Sequence, residues 1–372
     1  MHLRHAILIS LTLGAATLAA QSAVDADEIA ATVTRQVEKF LRHPTIRSAS
    51  VGIHLRGVTY TGHFGHLDGG DGPAPTDASR YEIGSVTKTM VGYLIAEAVA
   101  NGRLSLEDDV RNYLPDAYPN LELEGKGIQL RHLLTHTAGL PPHLPQVFNG
   151  VYETLAPDVP RRYRALEEQY GKEEFFADLR KVELTTVPGT SYAYSSAGME
   201  LLAVVLESVN RQPLATQLGS SLFERAGMDG AKLFQAPTDT TRRVRGYWMK
   251  NTETSPTQYA SLWGGGTGVV ATLPDLLRYA ILQLDKADSI VARSQEILYY
   301  DGGTRWMAYG WSARKDRYGT SYHHHGGTSG IQNWTFVFPE QQLSLVVITN
   351  HSGPDTPARI GKLARQLLKQ LL

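Results

Sequence analysis

The spacing of apolar positions changes period several times along the chain. Over residues 25–41, Ile29, Val33, Val37 and Phe40 fall on one side of a helix, an amphipathic stripe that calls for a partner surface. The pattern then alternates through Val51, Ile53 and Leu55, turns at Arg56-Gly57, and resumes through Val58 and Tyr60, which predicts a β-hairpin. Residues 69–78, rich in Gly, Pro and Asp, predict a loop. Helical period returns at Val86, where Met90, Val91, Leu94, Ile95, Ala98 and Val99 form one broad buried face closed by Asn101-Gly102.

From 104 to about 232 the pattern stays mostly helical, with long loops. The polar stretch 147–181 is expected to form a flap over a cleft, and 199–210 a helix opened by Ser195-Ser196. After Thr238 the period falls to two. Trp248, the cluster Gly264-Gly265-Gly266 and Val269-Val270 suggest strands and close backbone approaches. A helix over 275–284 is followed by strands at 307–311, 321–325, 333–338 and 343–349, with a tight turn at Glu340-Gln341. The chain ends in a helix over 359–371, with Ile360, Leu363, Leu367 and Leu371 on one face. Strands at both ends with helices between predict an α+β fold. Its antiparallel sheet comes from the N- and C-terminal segments with flanking helices, and a mostly helical insertion spans roughly 85–235 within a single domain over 25–370. A cleft is expected where sheet and insertion meet.

Composition narrows the chemistry. With 36 Lys and Arg against 37 Asp and Glu, and no basic stripe, nucleic acid is not an expected partner. The absence of cysteine removes disulfides, thiolate catalysis and Cys-ligated metals. Residues 1–22 combine a short basic start, Met1-His2-Leu3-Arg4-His5, an apolar run over 6–20 and small residues at Thr17-Leu18-Ala19. This is the order of a cleaved signal peptide, so the mature protein is expected to be soluble and periplasmic or secreted; an uncleaved anchor is the alternative. No other stretch is long and apolar enough to suggest a membrane span.

Ser85 and Lys88 stand three apart where a Gly-containing turn enters the helical segment, so both fall on one helix face at its positive end. A buried lysine there can be neutral enough to take the serine proton. The spacing alone means little, since about one or two such pairs arise by chance in a chain of this length. A second copy, Ser312 and Lys315, sits among strand-like segments, where a period of two sends the side chains to opposite faces. Two further stretches carry chemistry. Tyr192 and Tyr194 precede the 199–210 helix, and a tyrosine there can accept a proton if a cation stabilises its phenolate. In His323-His324-His325-Gly326-Gly327-Thr328, glycines at a strand end leave N–H groups for an oxyanion hole. The three histidines lack partners at ligand spacing, so neither metal nor cofactor is expected. The motifs G-x-S-x-G and H-E-x-x-H are absent.

Together these stretches resemble the serine β-lactamase and penicillin-binding-protein family, in its class C-like branch, which also holds D-amino-acid-specific peptidases and carboxylesterases. The resemblance covers about 50–350. It rests on Ile83-Gly84-Ser85-Val86-Thr87-Lys88, Leu133-Leu134-Thr135-His136-Thr137-Ala138-Gly139-Leu140, Pro188-Gly189-Thr190 with Tyr194-Ser195-Ser196, the Gly265 region, and His325-Gly326-Gly327. It implies Ser85 as acylated nucleophile, Lys88 as its proton-handling partner and Tyr194 as the tyrosine of the Y-x-N motif. It also implies His325 in the place of the K-T-G lysine, and the N–H groups of Ser85 and of Thr328, directly after Gly327, around the oxyanion. Two departures follow. Ser196 stands where asparagine is usual, and His325 lacks the fixed charge of lysine. Both point to a peptidase of D-residue type or a small-acyl esterase acting on a small-molecule or peptide substrate. A β-lactamase and a receptor that acylates without turnover are the alternatives. Whether Lys88 or Tyr194 is the base stays open, because a coupled pair titrates as a unit. Phe148, Tyr152, Trp263 and Trp334 are expected to shape the pocket.

Overall fold

The computed structural model describes residues 25–68, 72–151, 153, 155–234, 242–250, 254–257 and 261–372. The expected signal segment, Tyr152 and part of the 69–78 loop lie outside them. Helix α1 (Ala26–Leu41) starts at Asp25, whose side chain caps the Asp27 N–H at 2.8 Å. The hairpin follows as β1 (Ser48–Leu55) and β2 (Val58–Gly65). A short β3 (Arg80–Glu82) leads into α2 (Thr87–Ala100). The segment 147–181 folds as three helices, α3 (Val147–Val151), α4 (Val159–Glu167) and α5 (Lys172–Leu179), and α6 (Ser196–Asn210) follows. Then come β4 (Val269–Thr272), α7 (Leu273–Leu282), β5 (Tyr299–Tyr300), β6 (Trp306–Met307), β7 (Ser312–Asp316) and β8 (Gly319–Gly327). Strands β9 (Gln332–Phe338) and β10 (Leu343–Thr349) and helix α8 (Thr356–Leu371) complete the chain.

The main sheet has the order β2-β1-β10-β9-β8-β7-β6-β5 with every neighbour antiparallel, so the N-terminal hairpin and the C-terminal strands make one sheet. Alternation sorts β1 and β10 onto two faces. Val51, Ile53, Leu345 and Val347 pack under α1 and α8, with Val33, Val37, Ile360 and Leu367. Val346 and Ile348 face the opposite side with Leu273, Leu276 and Leu277 of α7. Gly52 turns to that side, where a Cβ would lie 3.1 Å from Leu277 Cδ2, so β1 and α7 approach closely. The α+β arrangement and its sheet are as the apolar pattern predicts.

Two strand expectations shrink. The glycine cluster at 264–266 is a turn that precedes β4. The strand expected over 307–311 ends at Met307. Beyond it the chain turns through Gly310, at a φ of +76°, where a Cβ would stand 2.6 Å from the Lys88 carbonyl oxygen. Backbone contact with α2 replaces the ladder there.

Candidate active site

Ser85 lies in a short 3-10 turn, Gly84–Val86, that feeds directly into α2. Ile83, just before it, is tied on both sides: its N–H donates to Val269 O at 3.1 Å, and its carbonyl accepts from Asn333 Nδ2 at 3.0 Å. Gly84 adopts a φ of +53°, and a Cβ there would stand 2.7 Å from Gly327 O and 2.8 Å from Gly327 N. Glycine alone tolerates both the conformation and the approach. The serine turn is thereby seated against the backbone of β8.

Lys88, one helical turn on, is fully buried. Its Nζ donates to Ser85 Oγ at 3.1 Å and to Gly266 O at 2.6 Å. The Tyr194 ring centroid lies 5.1 Å from the same nitrogen, a cation–π distance. Ser85, Lys88 and Tyr194 are thus brought together, with Ser85 and Tyr194 on the wall of a groove of about 1370 Å³ (open mouth included) that Ser196, Thr267, Gly327 and Trp334 also line. Tyr192 points elsewhere, with the Arg305 guanidinium 3.9 Å from its ring centroid.

The loop bearing Tyr194 is held by His136, whose role sequence reasoning missed. The His136 carbonyl accepts the Ala193 N–H at 2.7 Å, its Nδ1 accepts the Ser195 N–H at 3.3 Å, and its ring lies 4.4 Å from that of Tyr194. Burial, with the Lys88 charge adding to it, pushes His136 down to about 3, so the ring is neutral. Its signal in the sequence was a histidine inside an apolar helix end. Glu200 was missed as well. It sits on α6 one turn beyond Ser196, buried, and its carboxylate accepts the N–H groups of Gly265 at 3.2 Å and Gly266 at 2.8 Å. Burial raises its pKa, against these two bonds and the Lys88 charge. Glu200 thereby holds the residue, Gly266, whose carbonyl receives Lys88. Its signal was a lone carboxylate in the apolar run Met199 to Leu206.

The register of β8 corrects two expectations. The Thr328 N–H is not turned to Ser85; it donates to Ile331 O at 2.9 Å and closes the β8–β9 turn. In an antiparallel ladder, successive residues point their N–H groups to opposite edges. With Thr328 bonded toward β9, Gly327 and His325 present theirs to the other edge. Strand β7 covers that edge only as far as His323, paired with Ser312. Gly327, against the Ser85 turn, therefore supplies the free N–H.

The same one-residue shift moves the histidine. His325 lines the groove with Ser85 and Tyr194, but from the sheet face away from Lys88. Its ring lies 4.9 Å from Trp334 on the opposite face, with Gln332 beside it. His324 is the buried histidine on the Lys88 side. Burial, then the charge of Lys88, holds it well below its usual pKa. Among the expected pocket residues, Phe148 lines a neighbouring cavity and Trp334 the groove, while Trp263 packs against Phe175 and Phe176 at 5.4 and 5.3 Å.

A helix-borne serine bonded to a buried lysine, beside a tyrosine and an uncovered strand edge, can carry out acyl transfer by a serine nucleophile. The sequence model of the Beta-lactamase family matches residues 33–370, and the chain belongs to that family of serine hydrolases. The chain is similar to "Protein flp" of Staphylococcus aureus (strain N315), 22% identical over 347 residues covering 90% of this chain, and it spans 66% of that protein's length. It is also similar to "Beta-lactamase" of Escherichia coli (strain K12), 22% identical over 378 residues, covering 91% of this chain and 93% of that one. In fold it resembles a beta-lactamase/D-alanine carboxypeptidase from Yersinia pestis complexed with citrate, with a TM-score of 0.78, 19% identity, and 94% and 99% of the two chains covered.

Proposed function

We propose that the protein hydrolyses ester or amide bonds of small acyl compounds or D-residue peptides through an acyl-enzyme on Ser85. The observation that carries this reading is the Lys88 Nζ to Ser85 Oγ bond of 3.1 Å beside the uncovered edge of β8. Ser85 Oγ attacks the substrate carbonyl carbon, and its proton passes to the Lys88–Tyr194 pair. The resulting oxyanion faces the N–H groups of Ser85 and Gly327. Its collapse breaks the bond to the leaving group, which takes the proton. Water, deprotonated by the same pair, then attacks the acyl carbon and frees Ser85. Tyr194 stays positioned by His136, and Lys88 by Gly266, which Glu200 holds.

A neutral histidine beside Lys88 supports the peptidase or esterase reading over the β-lactamase one. A β-lactam or a C-terminal carboxylate is best held by a fixed cation. His324 is kept neutral by burial and by the Lys88 charge. The β-lactamase reading keeps the support of the similarity to the Escherichia coli protein. Intact-protein mass spectrometry after a fluorophosphonate and, separately, after a penicillin separates the two, each run beside Ser85→Ala. The expected result is a fluorophosphonate adduct that Ser85→Ala abolishes, with neither a lasting penicillin adduct nor penicillin loss. Penicillin turnover would establish the β-lactamase reading, and no adduct from either reagent would sink the hydrolase mechanism.

We also propose export, on the basic, apolar and small-residue order of residues 1–22. The mass and cell fraction of the protein recovered from its native host test this: an uncut N-terminus outside the cytoplasm would point to the uncleaved anchor, and an uncut protein in the cytoplasm would overturn export.

A further inference from the structure

Next to the groove lies a second, more enclosed cavity of about 610 Å³ (open mouth included) that shares His143, Tyr163, Ser196 and Thr267 with it. One side of it is aromatic, and Ser196, Glu200 and Thr267 stand on the other. Phe148 stands 4.9 Å from Tyr163 in a tilted arrangement and 5.8 Å from Tyr170 edge-on, and Phe175 closes the side toward the core. Glu167, one turn after Tyr163 on α4, also lines it. Its Oε2 accepts no hydrogen bond among the described residues. The nearest cation, Arg164, holds Nη1 at 3.8 Å but commits its Nε to Glu168 at 3.0 Å.

Around Glu167 stand two further carboxylates, Glu168 and Glu82, the latter bonded to Arg243 at 2.8 Å. Burial pushes the Glu167 carboxyl up to about 8, Arg164 opposes this, and Glu82 and Glu168 raise it further. His143 at the cavity mouth brings no positive charge, because burial and the Lys88 charge lower its pKa, while its Nδ1 is bonded to Asn149 Oδ1 at 3.0 Å. A mostly buried carboxyl whose Oε2 accepts no hydrogen bond and whose ion pair with Arg164 is long, walled by three ring faces and edges, is the complement of a cation: the rings attract it through their quadrupoles, and the carboxyl, once ionised, gains a second and closer counter-charge.

We propose that this cavity is a substrate side-chain pocket selective for a cationic group, an ammonium or quaternary amine, seated among Phe148, Tyr163 and Tyr170 and neutralised by Glu167. The proposal rests on the hydrolase reading and names the substrate class: a small ester or amide whose acyl or leaving group ends in a positive charge. The same chain that offers no fixed cation beside Lys88 for a substrate carboxylate thus offers, one cavity away, a carboxyl that a bound cation would ionise.

Isosteric ester pairs test it. One series uses p-nitrophenyl esters of acyl chains ending in trimethylammonio or in neutral tert-butyl, across a range of chain lengths. The other compares choline butyrate with its neutral dimethylbutyl counterpart, so the two series separate an acyl-side from a leaving-group-side cation. The expected result is a preference of roughly tenfold or more in kcat/KM for the cationic member of one series. Glu167→Gln, which keeps the shape and removes the charge, should erase that preference through KM, and Phe148→Leu should reduce it. Equal rates for both members in both series, or a preference that survives Glu167→Gln, would overturn the pocket while leaving the hydrolase reading intact. No turnover of any ester by the wild-type protein, or turnover that survives Ser85→Ala, would overturn the hydrolase reading and the pocket with it.

Discussion

Ser85 and Lys88 share their spacing with Ser312 and Lys315, and the two pairs have nothing else in common. The first pair spans a 3-10 turn and the opening of α2, where three residues make almost one turn and Lys88 Nζ meets Ser85 Oγ at 3.1 Å. The second pair lies on β7, where three residues reverse the face. Ser312 turns toward the groove with its Oγ near Met307 Sδ at 3.8 Å, while Lys315 is exposed. Burial completes the contrast. Lys88 is sealed beneath Tyr194 and Gly266, so its proton has only Ser85, a carbonyl and a ring for company. A motif of two residues acquires chemistry from the backbone beneath it and from the exclusion of water around it.

The widest separation between the pairs is expected from their serines. Ser85→Ala should lower ester turnover by roughly 10³-fold or more. Ser312→Ala, though it also lines the groove, should stay within about twofold of wild type. Steady-state rates, with thermal midpoints to show that both variants fold, decide the matter. Comparable losses in the two variants would mean that the groove, and not the helical pair, makes the activity.

The lysines should differ next. Lys88→Met removes one member of the proton-accepting Lys88–Tyr194 pair and should cost about 10²–10⁴-fold in kcat. It also leaves Gly266 O without its 2.6 Å donor, a stability loss of about 1–3 kcal/mol. Lys315→Met should change neither quantity measurably. A smaller effect belongs to Glu200→Gln. The amide keeps the size but weakens the hold on the N–H groups of Gly265 and Gly266, which should lower kcat roughly tenfold with KM nearly unchanged. If KM rises instead, Glu200 shapes binding and does not position Lys88.

The parts of the molecule that were legible in the sequence are those with a period. The alternation of Val51, Ile53 and Leu55 and of residues 343–349 reads directly as the two-faced centre of the sheet, because every second side chain meets the same helices. Ser85, Lys88 and Tyr194 were legible because each stands at a helix start, where three-residue spacing has one geometry. The oxyanion edge was not. Three consecutive histidines before two glycines allow two frames for the same motif, and only the turn bond from Thr328 to Ile331 chooses between them. A slip of one residue on a strand exchanges faces, so His324 and His325 trade places. His136 and Glu200 were illegible for another reason. Each acts by holding a distant backbone segment, Ala193 and Ser195 in one case and Gly265 and Gly266 in the other, and no local pattern records such a partner.

The smallest expected effect sharpens the same contrast through pH. Around Lys88 the histidines are kept neutral: His136 is pushed down to about 3, chiefly by burial, whereas nothing comparable surrounds the exposed Lys315. Above about pH 6.5 His136 is neutral in both the folded and the unfolded chain and contributes no pH dependence. Between about 6.5 and 3 the unfolded chain binds a proton that the folded site excludes. Stability therefore falls as pH falls through that window, by up to about 1.4 kcal/mol per pH unit for this residue. Glu167 acts with the opposite sign. Its carboxyl, raised to about 8, binds a proton in the folded state before the unfolded chain does, so acidification from about 8 to 4.5 stabilises the fold at that residue. The two must be separated by difference. Urea midpoints at pH 7 and pH 5 should drop less in His136→Gln than in wild type, whereas Lys315→Met should track wild type at both. A wild-type slope that persists in His136→Gln would mean that water or a charge partner already reaches this ring. In that case the enclosure that distinguishes Lys88 from Lys315 is looser than its hydrogen bonds imply.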